Sequence, residues 1–301
     1  MKKLNINKVV DGINYTLLIL ITLILLYPLY FVLIASFSNA TAAAGGDVVL
    51  WPVGFSLDSY KMAFGYDQIW VGYRNSIIYT ITGTIWNLFL TIPIAYALTK
   101  KDMMLHGLVT SYLIFTMYFG GNMISSYVLI RGMGLIDKPY TMVLLGGLSI
   151  SNVVVTRTYF NTSIPASLYE AAEMDGCSEF KKFVKIALPL AKPILAVMTL
   201  YYAVGRWNDY FNALIYVNNT DYYPLQLILR NILILGQSVM SQIESGEINT
   251  AEELAELLRQ RDLAEAMKYS MIYIGALPML IAYPFVQKHF VKGVMIGSLK
   301  G

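Results

Sequence analysis

The side chains able to do chemistry in this sequence gather in a few places. Arg206-Trp207-Asn208-Asp209-Tyr210 sets a cation, an amide, a carboxylate and two aromatic rings side by side, with Tyr201 and Tyr202 just before them, inside an otherwise apolar stretch. Tyr112, Phe115, Phe119, Asn122 and Ser126 recur at spacings of three and four, which on one helix makes a face of rings and polar groups. Rings beside hydrogen-bonding groups are the mixture that lines binding sites for small polar molecules. The plainer alternatives are a helix-packing surface for the stripe and an internal Arg206–Asp209 ion pair that fixes helix position. A charged group at such a place faces a cavity or the bundle interior rather than lipid. Hydrolytic chemistry is excluded: a serine nucleophile needs a nearby base, and the two histidines, His106 and His289, fall at the ends of apolar runs.

The elements that must carry these residues are membrane helices. Of 301 residues 56% are apolar and 14% charged, against roughly 25% charged in an average soluble domain. Apolar runs at 15–37, 75–99, 107–130, 139–157, 189–217 and 269–287 each approach the roughly 20 residues that cross the hydrocarbon core. The fifth is interrupted by Arg206 and Asp209. Barrel strands are only about 10 residues long with alternating polarity, so the expectation is one all-α membrane domain over 1–301 with six spans. A single cysteine, Cys177, excludes an internal disulfide, and two histidines exclude a His-rich metal site. No G-x-x-x-x-G-K-[ST] occurs, so the chain lacks a glycine-rich cradle for ATP phosphates.

Six spans put both termini on one side. The segments on that side, about 1–14, 100–106, 157–192 and 287–301, hold 13 Lys/Arg in 72 residues, against 8 in 96 for the opposite segments. The positive-inside bias therefore places the termini in the cytoplasm. On the outer side Thr250-Ala-Glu-Glu253 is a capping-box pattern opening a charged helix.

One cytoplasmic stretch, 164–188, has a form of its own. EAAEMDGCSEFKKFVKIALPLAKP, residues 170–193, reads as two short helices meeting at Gly176, with Pro189 ending the second. Glu170 and Glu173 project together from the first; Phe180, Phe183, Val184 and Ala187 form an apolar face on the second, with Lys181, Lys182 and Lys185 opposite. Periodicity alone leaves two readings open, a docking element for another protein and an amphipathic pair lying on the bilayer. An ion-coupled secondary transporter with an intramembrane Arg206/Asp209 pair is a further reading, though it gives this loop no task.

Glu170, Ala171, Ala172, Gly176, Ile186, Leu188 and Pro189 follow the E-A-A, three residues, G, then I-x-L-P order. That order resembles the signature loop of the membrane-spanning subunits of binding-protein-dependent ABC importers. WNDYFNALIY at 207–216 and YPFVQKHFVKGVMIGSLKG at 283–301 are similar to carbohydrate-uptake permeases of the maltose-importer smaller-subunit type, most closely the polysaccharide or lipoprotein-associated sugar subgroup. The resemblance implies an ABC importer permease (MetI-like) fold and a transport subunit without catalytic residues, metal or cofactor, ATP and Mg being bound by a partner ATPase. It implies a second homologous permease, an ATPase dimer, an external sugar-binding protein and membrane lipid as partners, in the bacterial cytoplasmic membrane. Glu170, Ala171, Ala172, Asp175, Gly176 and Pro189 would couple to the ATPase, and Lys292, Gly293, Gly297 and Lys300 in the tail would touch it. Sugars suit the lining of Tyr112, Phe115, Phe119, Asn122, Arg206, Trp207, Asn208, Asp209 and Tyr210, since C–H faces rest on rings and hydroxyls bond to the polar groups. The E-A-A loop specifies the machine more sharply than its cargo, so a permease for a non-sugar solute stands as the alternative.

Overall fold

The structure, a computed structural model, describes residues 6–245 and 250–298, and the regular elements among them are helical. In chain order these are α1 Ile6–Ser36, α2 Ala40–Gly45, α3 Asp58–Phe64, α4 Asp67–Ala97, α5 His106–Tyr118, α6 Met123–Gly132, α7 Thr141–Leu144 and α8 Ile150–Ser163. There follow α9 Ala166–Met174, α10 Glu179–Lys182, a π-helical turn Phe183–Ala187, α11 Leu188–Leu190, α12 Lys192–Trp207, α13 Tyr210–Tyr216, α14 Leu225–Ser245 and α15 Ala251–Ser298. Among the described residues three stretches are long and apolar enough to cross a membrane as single helices: Val10–Ser36, Asp67–Ala97 and Ala264–Tyr283. Two bent pairs would bring the number to five, short of the expected six, if each were one span: α5 with α6, at 113°, and Glu179–Leu190 with α12, at 79°.

The differences from a simple row of spans have local causes. The run 107–130 breaks at Phe119–Asn122, where Gly120 and Gly121 favour neither turn and the Asn122 side chain caps α6 by accepting from Ile124 N at 3.1 Å. The run 139–157 divides between α7 and α8, with Ser149 capping the second. The loop's second helix does not stop at Pro189. A proline has no N–H and crowds the carbonyl four residues back; the chain widens into the π turn before it, Leu188 N reaching Phe183 O, and bends only at Ala191. The expected helix start at Thr250 is where α15 begins, with Leu254 N bonded to Thr250 O, and the helix then runs for 48 residues.

The residues pack as two compact units. One, residues 1–67 and 229–277, has a small core of Ile34, Ala35, Ala43 and Val48, against which Phe31 meets Tyr269 edge-on at 5.7 Å. Ser270 there bonds to the Ser59 carbonyl at 3.2 Å. The other, 68–228 and 278–301, holds both candidate sites. Its main core joins Ile92, Ala95 and Tyr96 of α4 to Val153 and Phe160 of α8 and to Ile194, Met198 and Tyr202 of α12.

Candidate functional site

Backbone that leaves the helix at membrane depth must find partners within the protein, because hydrocarbon offers none. In this chain α4 supplies them. From the adjacent Asn75 and Ser76, Tyr79, Gly83, Asn87 and Thr91 follow at spacings of three and four, a largely polar stripe along one helix face. Asn75 Nδ2 donates to the carbonyls of Asp221 and Tyr223 at 2.7 and 3.0 Å, Tyr79 donates to Tyr222 O, and Ser76 Oγ accepts from Leu225 N. Further along the same face Asn87 Nδ2 donates to Gly146 O and Gly147 O, both at 2.7 Å, and Thr91 shares a 2.6 Å bond with the Tyr202 hydroxyl.

Arg206 completes this scheme. It is only 9% exposed and spends its donors on Asn87 Oδ1 at 2.9 Å, Met142 O at 2.8 Å, Leu145 O at 2.7 Å and Val143 O at 3.1 Å. The rigid fork of a guanidinium suits several acceptors held at fixed angles. Gly83 makes room: a Cβ there would lie 2.8 Å from Arg206 Nε. An Arg206–Asp209 ion pair is therefore not what the structure contains. Asp209 instead caps α13, accepting from Asn212 N at 3.2 Å and from Asn212 Nδ2 at 2.8 and 2.9 Å. The α12–α13 break explains this: the helix ends at Trp207, so Arg206 and Asp209 do not share a continuous face.

Beside the Arg206 clasp lies a cavity of about 270 Å³, lined by Asn87, Leu145, Gly146, Tyr201, Tyr202, Gly205, Arg206, Asp209 and Asn212. Of the residues that the sequence groups around Arg206 it brings together Tyr201, Tyr202, Arg206 and Asp209. Trp207 is 2% exposed and packs on Tyr73 at 6.1 Å, which corrects its reading as a ring platform: it is core. Asn208 turns its amide back onto Val204 O, and Tyr210 sits edge-on to Phe211. The third-run stripe is not one face. Tyr112 and Phe115 are on α5, whereas Phe119 and Asn122 fall in the break, with Phe119 stacked on Phe115 at 4.5 Å. Asn87, Gly205 and Asn212 line the cavity without having been singled out by sequence; the period of polar residues within 75–99 is the signal that marks Asn87.

The second site is the loop after α8. α9 ends as the sequence predicts: Gly176 takes φ +70°, and Cys177 N reaches Ala172 O while Gly176 N reaches Glu173 O. Asp175 holds the residue before that turn, and Ser178 caps α10. Glu170 and Ala171 are exposed, while Ala172 is buried. Met174 at 89% and Phe180 at 75% exposure leave large apolar side chains uncovered on the same loop. Pro189 lies within α11.

The lysine face of the second helix needs a correction. Lys182 is 2% exposed, its ammonium bonded to Glu173 Oε2 at 3.0 Å and to Glu179 Oε1 at 2.8 Å. Glu179 Oε2 also pairs with Lys100 at 3.0 Å and accepts from the Tyr96 hydroxyl at 3.2 Å. Lys100 in turn lies over the Tyr96 and Tyr169 rings. Burial pushes the Glu179 carboxyl up, but the bonds from Lys182 and Lys100 outweigh it and hold the group below the ordinary carboxylate range. The same bonds, Glu179 first and Glu173 next, raise the Lys182 ammonium. Of the expected tail contacts, Lys292, Gly293 and Gly297 fall within α15, and Lys300 lies outside the described residues.

Comparison with known proteins gives this geometry a setting. Residues 69–295 match the model of the family described as "Binding-protein-dependent transport system inner membrane component". The polygalacturonan/rhamnogalacturonan transport system permease protein YtcP of Bacillus subtilis is 33% identical over 295 residues, 98% of this chain and 99% of YtcP. Protein LplC of the same organism is 35% identical over 294 residues, covering 98% and 96%. Among solved structures, a chain of a bacterial ABC transporter involved in import of the acidic polysaccharide alginate superposes with a TM-score of 0.82 at 31% identity, covering 96% of this chain and 99% of that one.

Proposed function

The chain belongs to the binding-protein-dependent transport system inner membrane component family, and from that membership we propose the particular work of its two sites. It is a transport subunit, the permease of an ATP-driven ABC importer for carbohydrate, working with an ATPase and a substrate-binding protein. The loop 164–188 is the cytoplasmic element that seats in the ATPase, and one observation carries this reading. A loop with Met174 and Phe180 uncovered beside the exposed carboxylate of Glu170 is held in one shape by the Gly176 turn. Uncovered large apolar groups rimmed by charge mark a protein contact.

The remaining assignments follow from this. Six spans with both termini cytoplasmic, a second homologous permease as partner and lipid around the bundle complete the subunit. ATP and Mg bind to the partner ATPase, and Lys292, Gly293, Gly297 and Lys300 lie at its surface. The cavity beside Arg206 is the passage for an oligosaccharide. Its Tyr201 ring and its Asp209, Asn212 and Asn87 polar groups are the mixture that holds a sugar. Uronic-acid oligosaccharides are the first class to test, since the names of YtcP and of the alginate importer both point to acidic polysaccharides.

The test uses Glu170→Ala, which removes a charge, and Gly176→Val, which forces a branched side chain into a left-handed turn. Both variants are expected to insert normally while ATPase co-purification and oligogalacturonide uptake fall together. Undiminished uptake in both would refute the loop's assignment.

A further inference from the structure

The loop packs its Tyr169 and Phe183 rings on Tyr96 of α4, and beside those rings one carboxylate, Glu179, has both of its oxygens engaged. Lys182 bridges Glu173 on α9 and Glu179 on α10 across the Gly176 turn, so the two short helices are clamped as one body. Glu179 then reaches out of the loop to Lys100 and to the Tyr96 hydroxyl near the end of α4. From Tyr96 the same helix leads back to Asn87, nine residues or about 13 Å away at 1.5 Å per residue, and Asn87 holds both Gly146 and Arg206 at the cavity.

We propose that Glu179 is the positioning residue through which displacement of the loop is delivered to α4 and so to the cavity wall at Leu145 and Gly146. The proposal rests on the docking reading of the loop. Magnitudes favour transmission over stability as the pair's role. Lys100 and Glu179 are 24% and 56% exposed, and pairs so wetted contribute little to folding. The same pair and the Tyr96 bond join the loop to the end of α4. A tie that matters little to folding but joins a docking element to a cavity helix acts when the loop moves.

The experiment uses the whole importer, purified with its ATPase, carrying Cys177→Ser and Leu145→Cys as a reporter of the cavity wall. Labelling of the introduced thiol by a small maleimide is followed with and without MgATP plus vanadate, in parent, Lys100→Met/Tyr96→Phe and Lys100→Arg proteins. The parent is expected to change its labelling rate on trapping. Lys100→Met/Tyr96→Phe should retain the ATPase yet lose most of that response, about fivefold if the tie carries about 1 kcal/mol. Lys100→Arg, which keeps the cation and its donors, should retain it. An unchanged response in the Met/Phe variant overturns the proposal, as does a parent whose labelling ignores trapping. Loss of the ATPase from the Met/Phe variant also overturns it, because the residues would then serve docking. Failure of the parent itself to retain an ATPase would instead defeat the docking reading.

Discussion

Removing the Arg206 guanidinium separates two accounts of this residue quantitatively. Arg206→Met deletes four hydrogen bonds, to Asn87 and to the carbonyls of Met142, Val143 and Leu145. Asn87 keeps its two bonds to Gly146 and Gly147, so the segment remains half tethered. At about 1 kcal/mol for each bond lost, the variant should lose about 4 kcal/mol. Asp209→Leu removes a helix cap, worth about 1 kcal/mol. The two groups share no hydrogen-bond partner, so the double variant should lose more than either single one, up to about 5 kcal/mol. The assay is the midpoint of heat-induced loss of the monodisperse complex in detergent, followed by tryptophan fluorescence on size exclusion. Arg206→Met should melt far below Asp209→Leu, and the double variant lower still. Recovery of the double variant toward the parent would mean that the charges compensate each other as an ion pair, and would refute the clasp.

Gly83→Val should reproduce the Arg206→Met defect without touching the charge, since its Cβ would meet Arg206 Nε at 2.8 Å; the same melting assay checks this, and a parental midpoint would show that the clasp tolerates displacement. The loop clamp should weaken in acid. The Glu179 pKa is depressed on folding, so its contribution is present above the ordinary carboxylate range, near 4, and is lost as pH falls through the lower folded value. Protease cleavage within 174–180 should therefore accelerate below about pH 4 in the parent and be faster at neutral pH, with a flatter acid response, in Glu179→Gln.

The parts of the fold that were legible in the sequence are those whose chemistry is local. Gly176 after a helix that needs a left-handed residue, Ser178 before α10 and Thr250 before α15 each specify their own backbone within a turn. The long apolar runs of α1 and α4 were legible for the same reason. What periodicity could not show is where a run is interrupted and repaired from far away. The gap between α7 and α8 is stable because Asn87, about 60 positions earlier, and Arg206, about 60 later, take its carbonyls. Lys182 fits a solvated face by spacing, yet Glu173 across the turn and Glu179 beside it draw the ammonium inward. Arg206 and Asp209 at i and i+3 would be neighbours on an unbroken helix; the end of α12 at Trp207 parts them.

The polar stripe on α4 also bears on how the chain is made. Synthesis completes α4 at Ala97, whereas the backbone its stripe must satisfy, Gly146–Gly147 and Asp221–Leu225, follows about 50 and about 125 residues later. At roughly 5 to 20 residues per second, the second interval lasts roughly 6 to 25 seconds. Until then Asn75 and Ser76 lack these partners, as Asn87 does for the shorter interval, and lipid supplies none. This helix therefore gains from staying in the wet, protein-lined setting of the insertion machinery until its later partners arrive. An early release to the bilayer would strand its polar face, so the residues that close the finished bundle also set the order in which it can be assembled.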